Sequence, residues 1–299
     1  MLKPSRIITH LTTLLAVLVL SAPAAAQSGT KSAILPIRTD GPKNLDPAKG
    51  STTYDNMACS QIYETLLISK YSDPMQMEPL LLTEMPTSPD GGLTWNFKLK
   101  PGVMFHDDDC FPGGKGREMV AEDVFYSIRR LADPKYEYEN WWLIDNTILG
   151  FNEYKDKYVG SDSFSYDDPV EGFRKISDHE FEIVLVEPVY RFLYVLSMFQ
   201  TSIVPREAVE MYGDDFSFNP VGTGPFLLED FIPKKHLKLV RNPNYHEVYY
   251  PAEEEWTSED RRNRLHRAAG QRVPFLDKLE FRMFVEDQPM WLRFSEGTI

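Results

Sequence analysis

The stretch Cys110–Glu118, CFPGGKGRE, places three glycines, a lysine and an arginine just ahead of a helical pattern. Glycines let a backbone fold its N–H groups around an anion, and a lysine adds charge, so this is the composition of a phosphate cradle. The order of the residues argues against one. A Walker loop needs G-x-x-x-x-G-K followed by Ser or Thr, and here Gly114-Lys115 is followed by Gly116. Nor is it G-x-G-x-x-G after a parallel strand. It reads as a polar loop between a strand pair and a helix.

Other candidate chemistry is equally sparse. Asp107-Asp108-Asp109 supplies the oxygens calcium takes, but no Asp or Asn continues at alternate spacing and no Gly-x5-Glu completes a loop. The six histidines form no H-E-x-x-H pattern, which leaves zinc without support. There is no G-x-S-x-G elbow. Acidic residues abound, yet a working carboxylate pair is defined by separation in space. The sequence therefore assigns no catalytic residue, no metal site and no cofactor. Trp141-Trp142 sits in an irregular, tyrosine-rich segment, where aromatics could wall a ligand cleft or anchor loops to the core. Cys59 and Cys110 could pair as a disulfide in an oxidising compartment, or be two separate buried thiols.

The elements that would position these residues follow from periodicity. From Tyr54 the pattern is helical, with Ala58, Ile62 and Leu66 on one face and Ser51, Thr52 and Thr53 ahead as cap candidates. The free amides of such a helix start could meet an anion or a carbonyl. Trp95, Phe97 and Leu99 alternate with Asn96, Lys98 and Lys100, and Pro101-Gly102 turns toward Val103 and Phe105, which predicts a half-buried hairpin. A helix is expected from about Ala121 to Ala132, and a strand from Glu180 to Val186. Helical character returns from Pro188, and a short helix ends at Gly213. Strands follow the turn at Gly222-Thr223-Gly224, at His236 onward and again near Leu276–Val285, with a charged, partly helical insertion at 253–272. Interspersed helices and alternating strands predict mixed α/β, or α+β, rather than a simple doubly wound sheet.

The bulk composition bounds function. The chain has 299 residues, 42% apolar and 26% charged, with a net charge of −13. No basic domain offsets that charge, which argues against nucleic acid and against an anionic membrane surface. Lys3 and Arg6, the apolar run Leu11–Leu20 and SAPAAAQ have the form of a signal peptide, residues 1–26, cleaved after Ala26. Losing its two positive charges takes the mature charge to −15. No later segment is apolar for long enough to span a bilayer, so the mature chain is expected to be exported, not membrane-spanning, and monomeric.

Taken together, five ordered blocks resemble the family 5 extracellular solute-binding proteins, the peptide- and nickel-type binding components of ABC importers. They are NLDPAKGSTTYDNMACSQIYETLLI, PLLLTEMPTSPDGGLTWNFKLKPGVMFHDD, VAEDVFYSIRRLADP, NPVGTGPFLLEDFIPKKHLKLVRNPNY and FLDKLEFRMFVEDQPMWLRFSEGTI. The resemblance implies a periplasmic binding protein-like II fold of two lobes around a cleft. Residues 28–64 and 204–299 would form the cleft-forming subdomain of lobe I, and 65–203 its extra subdomain. The second lobe would be missing beyond Ile299, so the chain is expected to be truncated. Where the family usually has Thr or Ser before its AEDV helix, this chain has Val120, a poor N-cap.

Carried over position by position, Lys49, Gly50, Ser51, Thr52, Thr53 and Tyr54 fall where the family lines its cleft. Trp141 and Trp142 fall where an aromatic reaches the ligand, and Thr223 is a lesser candidate in a turn. The function implied is a periplasmic receptor that binds oligopeptides or a similar small solute and delivers it to permease subunits, without turnover. An exported hydrolase using acidic residues, or a sensor or chaperone-like receptor on the same scaffold, are the competing expectations.

Overall fold

The computed structural model describes residues 30–299 apart from 72, 138, 162 and 253–255. The signal-peptide expectation for residues 1–26 lies outside them. No helix among the described residues is long and apolar enough to cross a membrane.

The described residues open with strand β1 (Ser32–Arg38), then helix α1 (Thr53–Ile62) and a short ladder of β2 (Leu67–Ser69) with β3 (Met77–Pro79). Next come β4 (Thr94–Lys98), α2 (Ala121–Arg129), α3 (Phe151–Asp156), β5 (Phe173–Lys175) and β6 (Glu180–Val184). Helices α4 (Phe192–Val195) and α5 (Arg206–Tyr212) lead to the hairpin of β7 (Phe226–Ile232) and β8 (His236–Arg241). Helix α6 (Ser258–Arg262) lies in the charged insertion, and β9 (Lys278–Phe284) and α7 (Asp287–Ser295) complete the order.

Two main sheets result, and the whole is mixed α/β. The first has the order β1-β9-β8-β7. Its β1 runs parallel to β9 in the register Ala33↔Leu279 to Ile37↔Met283, while β8 is antiparallel to both neighbours. The second, β4-β6-β5, is antiparallel throughout. Phe97 and Phe181 face each other across it and stack at 4.8 Å. Phe125 of α2 packs on that face, 4.7 Å from Phe173 and 5.4 Å edge-on to Phe181. Such aromatic pairs add to the burial of their area.

Several expectations hold. Ala58 and Ile62 are buried on α1, Thr52 caps it, and Gly213 ends α5, whereas Leu66, expected on the same helical face, is buried beyond the end of α1 at Ile62. Val120 makes no side-chain cap, and the Asp123 carboxylate compensates by accepting the Val120 N–H at 2.8 Å. The hairpin is corrected. Trp95, Phe97 and Leu99 are buried as the alternation requires, but β4 pairs with the distant β6, and beyond the Pro101-Gly102 turn the segment makes only a single bridge, Met104 to Glu118. Alternation reports which face a strand buries and is silent about which strand lies beside it.

The disulfide is also corrected: Cys59 and Cys110 are both free. Cys59 sits in the core face of α1, and burial pushes its thiol well up. Cys110 lies in the glycine-rich loop, where its N–H donates to Asp108. That loop bonds to itself: the Gly116 N–H donates to Asp107, and Lys115 pairs with the same carboxylate. Gly116 is glycine because a Cβ there would sit 1.9 Å from the carbonyl oxygen of Phe105.

Candidate functional site

The segment between β1 and α1 is organised around two buried carboxylates. Asp55, at the third position of α1, is 1% exposed and accepts four backbone N–H groups. Lys43 and Asn44 donate to Oδ1 at 2.7 and 3.1 Å, and Ser51 and Thr52 to Oδ2 at 3.2 and 3.0 Å. The Thr52 hydroxyl accepts the Asp55 N–H in return, which completes a capping box. The expectation that the helix start offers free amides to a ligand is corrected at Ser51 and Thr52, whose N–H groups are already spent on Asp55. What the segment presents outward is the exposed Ser51 and Thr53 and the half-buried Lys49 and Tyr54.

Asp46 holds the other end. Its Oδ1 accepts the Ala48 N–H at 3.0 Å and starts the 3-10 turn Pro47–Lys49. Its Oδ2 accepts Arg130 Nη2 at 2.7 Å, from the turn after α2, with both side chains almost fully buried. Arg130 also donates to the Tyr136 hydroxyl and lies over the Tyr136 and Phe216 rings at 4.7 and 5.4 Å. Burial opposes its charge, but Asp46 and Tyr136 outweigh that and hold the guanidinium above its ordinary range. Removing one partner of such a pair strands a charge in the interior.

A third tie brings in the tryptophans. Buried Asn140 donates from Nδ2 to the carbonyls of Ala48 and Gly50, at 2.9 and 3.1 Å. The next residues form the 3-10 turn Trp141–Leu143. The Trp pair divides there. Trp141 is an anchor: it stacks on Phe151 at 5.5 Å, its indole N–H donates to Asp145, and Lys155 lies over its ring. Trp142 is 61% exposed. Gly50 permits a close approach, since a Cβ there would lie 2.5 Å from Phe199 Cε2. The Tyr54 hydroxyl reaches the carbonyl of Arg38 at the end of β1. Asn140 thus ties the start of the tryptophan turn to the backbone at Ala48 and Gly50.

Thr223 is not. It is 1% exposed, and its hydroxyl donates to Glu64 at 2.8 Å, within a buried cluster that Tyr245 and His246 complete. Gly222 and Gly224 flank it because a Cβ at either would fall within 2.6 Å of the Ile62 carbonyl group. The sequence reading missed Glu64, Arg130, Asn140 and His106, all buried polar residues. His106 bridges the glycine turn, with Nε2 on the Gly224 carbonyl and Nδ1 accepting the Gly222 N–H. Burial pushes its pKa down to about 4, so it is neutral. A polar residue next to an apolar run was the only available signal for any of these four.

Beside α1 runs a groove of about 400 Å³, lined by Asn56, Ser60, Glu64, Phe199 and Tyr245 among others. Phe199 is the residue that also abuts Gly50.

Comparisons with known proteins were made on this basis. The model of Bacterial extracellular solute-binding proteins, family 5 Middle matches residues 76–299. Di/tripeptide-binding protein 2 of Pseudomonas aeruginosa (strain UCBPP-PA14) is 29% identical over 237 residues, 77% of this chain and 41% of that protein. The periplasmic oligopeptide-binding protein OppA of Salmonella typhimurium (strain LT2) is 28% identical over 233 residues, 75% of this chain and 38% of that protein. In fold, the chain resembles the periplasmic binding protein DppA from Helicobacter pylori in complex with peptide STSA. The TM-score is 0.66 at 22% identity, covering 90% of this chain and 46% of that one. The chain therefore spans less than half the length of the relatives it matches.

Proposed function

Since the chain belongs to the bacterial extracellular solute-binding proteins of family 5, we propose that it is an exported, periplasmic receptor that binds a peptide or similar small solute and hands it to an ABC-type permease. It binds without turnover. Residues 28–64 and 204–299 form the cleft side of its first lobe, 65–203 form the extra subdomain, and a second lobe closes on the ligand by hinge motion.

The observation that carries this reading is the segment Lys49–Tyr54, fixed from behind by Asp55, Asp46 and Asn140 while Ser51 and Thr53, and Trp142 two residues beyond Asn140, stay open to solvent. A receptor gains affinity when its binding backbone is ordered before the ligand arrives. Exposed hydroxyls and an indole face also suit a ligand recognised largely by backbone groups and water, as peptides are. Relatives named for di- and tripeptides and for oligopeptides support the same class.

Titration calorimetry against free tripeptides, longer peptides and a nickel chelate tests the reading. Saturable heat with a peptide class, unchanged peptide recovered afterwards, and weaker binding of that class by Trp142→Ala are expected. Absence of binding to all three, or steady release of cleaved product, would count against it.

A further inference from the structure

The groove beside α1 is electrically unlike the chain that carries it. The chain has 45 Asp and Glu against 32 Lys and Arg. Among the described residues that line the groove, Glu64 alone carries a charge. Glu64 is 4% exposed, and its carboxylate is already bonded to the hydroxyls of Thr223 and Tyr245 at 2.8 Å and to His246 Nε2 at 2.9 Å. A charged solute would find no free counter-charge there, and taking a charge out of water without one is costly.

What the groove leaves open is neutral. Ser202 is 3% exposed, yet its hydroxyl has no bonding partner among the described residues, while its own N–H is spent on the Phe199 carbonyl. A buried hydroxyl costs free energy until something fills that vacancy. The side-chain amide of Asn56, exposed on α1, is likewise unpartnered among the described residues. The hydroxyls of Ser60, Thr65 and Ser197 donate to the carbonyls of Met57, Leu67 and Tyr194. Their oxygens keep lone pairs for a further donor. Between these polar groups stand Phe199, Ile68 and Val248. The volume, about 400 Å³, falls in the ordinary range of small-molecule sites, and so does this mixture of apolar wall and a few polar groups.

We propose that this groove is a second binding site, separate from the Lys49–Tyr54 face, and that it takes a small neutral sugar. Each hydroxyl of a sugar both donates and accepts. That matches an unspent hydroxyl and amide, at Ser202 and Asn56, set beside hydroxyls that can now only accept. The C–H face of the ring lies against Phe199 and the aliphatic side chains. Phe199 also packs against Gly50, so the groove and the ligand segment share one wall but not their polar groups. The site stands on its own lining and does not require the receptor reading.

The test titrates the protein with methyl glucoside, glucosamine and glucuronate, three sugars of one ring size that differ in charge, by calorimetry and by saturation-transfer NMR. The neutral sugar should bind saturably, and each charged one at least about tenfold more weakly. Ser202→Ala should weaken the neutral sugar by about tenfold, the worth of one hydrogen bond to a buried group. Ser60→Trp, which fills the groove from its exposed rim, should abolish binding, with the thermal midpoint unchanged in both variants. A peptide bound at the Lys49–Tyr54 face should not be displaced by the sugar. No binding of the neutral sugar, equal binding of the charged ones, binding that survives Ser60→Trp, or displacement of peptide each overturns this inference. None of these results touches the receptor reading, which falls only if the peptide and nickel-chelate titrations fail.

Discussion

Two loops of this molecule look alike in sequence and do opposite things. DPAKGSTTYD leads into α1 and DDDCFPGGKGREMVAED into α2. Both carry Asp, Lys and Gly, and both place an Asp at the third helical position, Asp55 and Asp123, to accept backbone N–H groups of its own helix start. In the second loop the cations are consumed. Lys115 is bonded to Asp107, and Arg117 is forked between Asp123 and Glu207 across α2 and α5. In the first loop the anions are consumed, and Lys49 and the hydroxyls of Ser51 and Thr53 are left over. What a loop can bind is therefore decided by the polar groups its own folding leaves unspent, and composition alone does not record that remainder.

The sharpest way to break the comparison is to strand one of the first loop's carboxylates. Arg130→Met leaves Asp46 buried without its partner and should cost about 3–5 kcal/mol in urea unfolding. Adding Asp46→Asn should recover part of the loss, and a cost under about 1 kcal/mol would mean that Asp46 finds another partner. The second loop has its own weak point in His106, which ties it to the glycine turn. The unfolded chain binds a proton on this residue below pH 6.5, and the folded chain does not until about 4. Stability that is complete above pH 6.5 is therefore lost as pH falls toward 4, by about 3 kcal/mol from this group. His106→Gln should flatten that part of the pH–stability curve.

Smaller changes sharpen the contrast. Gly116→Ala forces a Cβ against the Phe105 carbonyl and should destabilise by about 2 kcal/mol, with ligand affinity unchanged in the folded fraction. A parallel loss of affinity would show that the loops are not separable. Trp142→Ala should move stability by less than about 0.5 kcal/mol, because the side chain is exposed. Its effect should appear in peptide affinity instead, as a loss of about tenfold in calorimetry.

Much of the fold was legible because local rules govern it. The cap at Thr52, the stop at Gly213 and the faces of β4 and β9 each follow from a few adjacent residues. What was not legible depends on residues far apart. The partner of β4 lies beyond α2 and α3, and the fate of each tryptophan depends on Phe151 and Asn140, which the dipeptide itself does not announce. Thr223 was misjudged for the same reason: its turn is pressed against Ile62, so its hydroxyl faces a buried glutamate. The segment Lys49–Tyr54 was chosen by its position, but the use of the Ser51 and Thr52 amides by Asp55 is a matter of geometry.

The parallel register of β1 with β9 bears on assembly. The Lys31 N–H finds the Asp277 carboxylate across a separation of 246 residues. Strand β1 thus needs β9 to pair with, and β9 lies in turn against β8 of the β7–β8 hairpin. Closing so long a loop adds only slowly to the equilibrium cost, since each doubling of its length costs about 0.6 kcal/mol, but it weighs heavily on the rate. Until β9 docks, the edge of β1 that pairs with it has no partner, which leaves an unpaired strand open to aggregation in that interval.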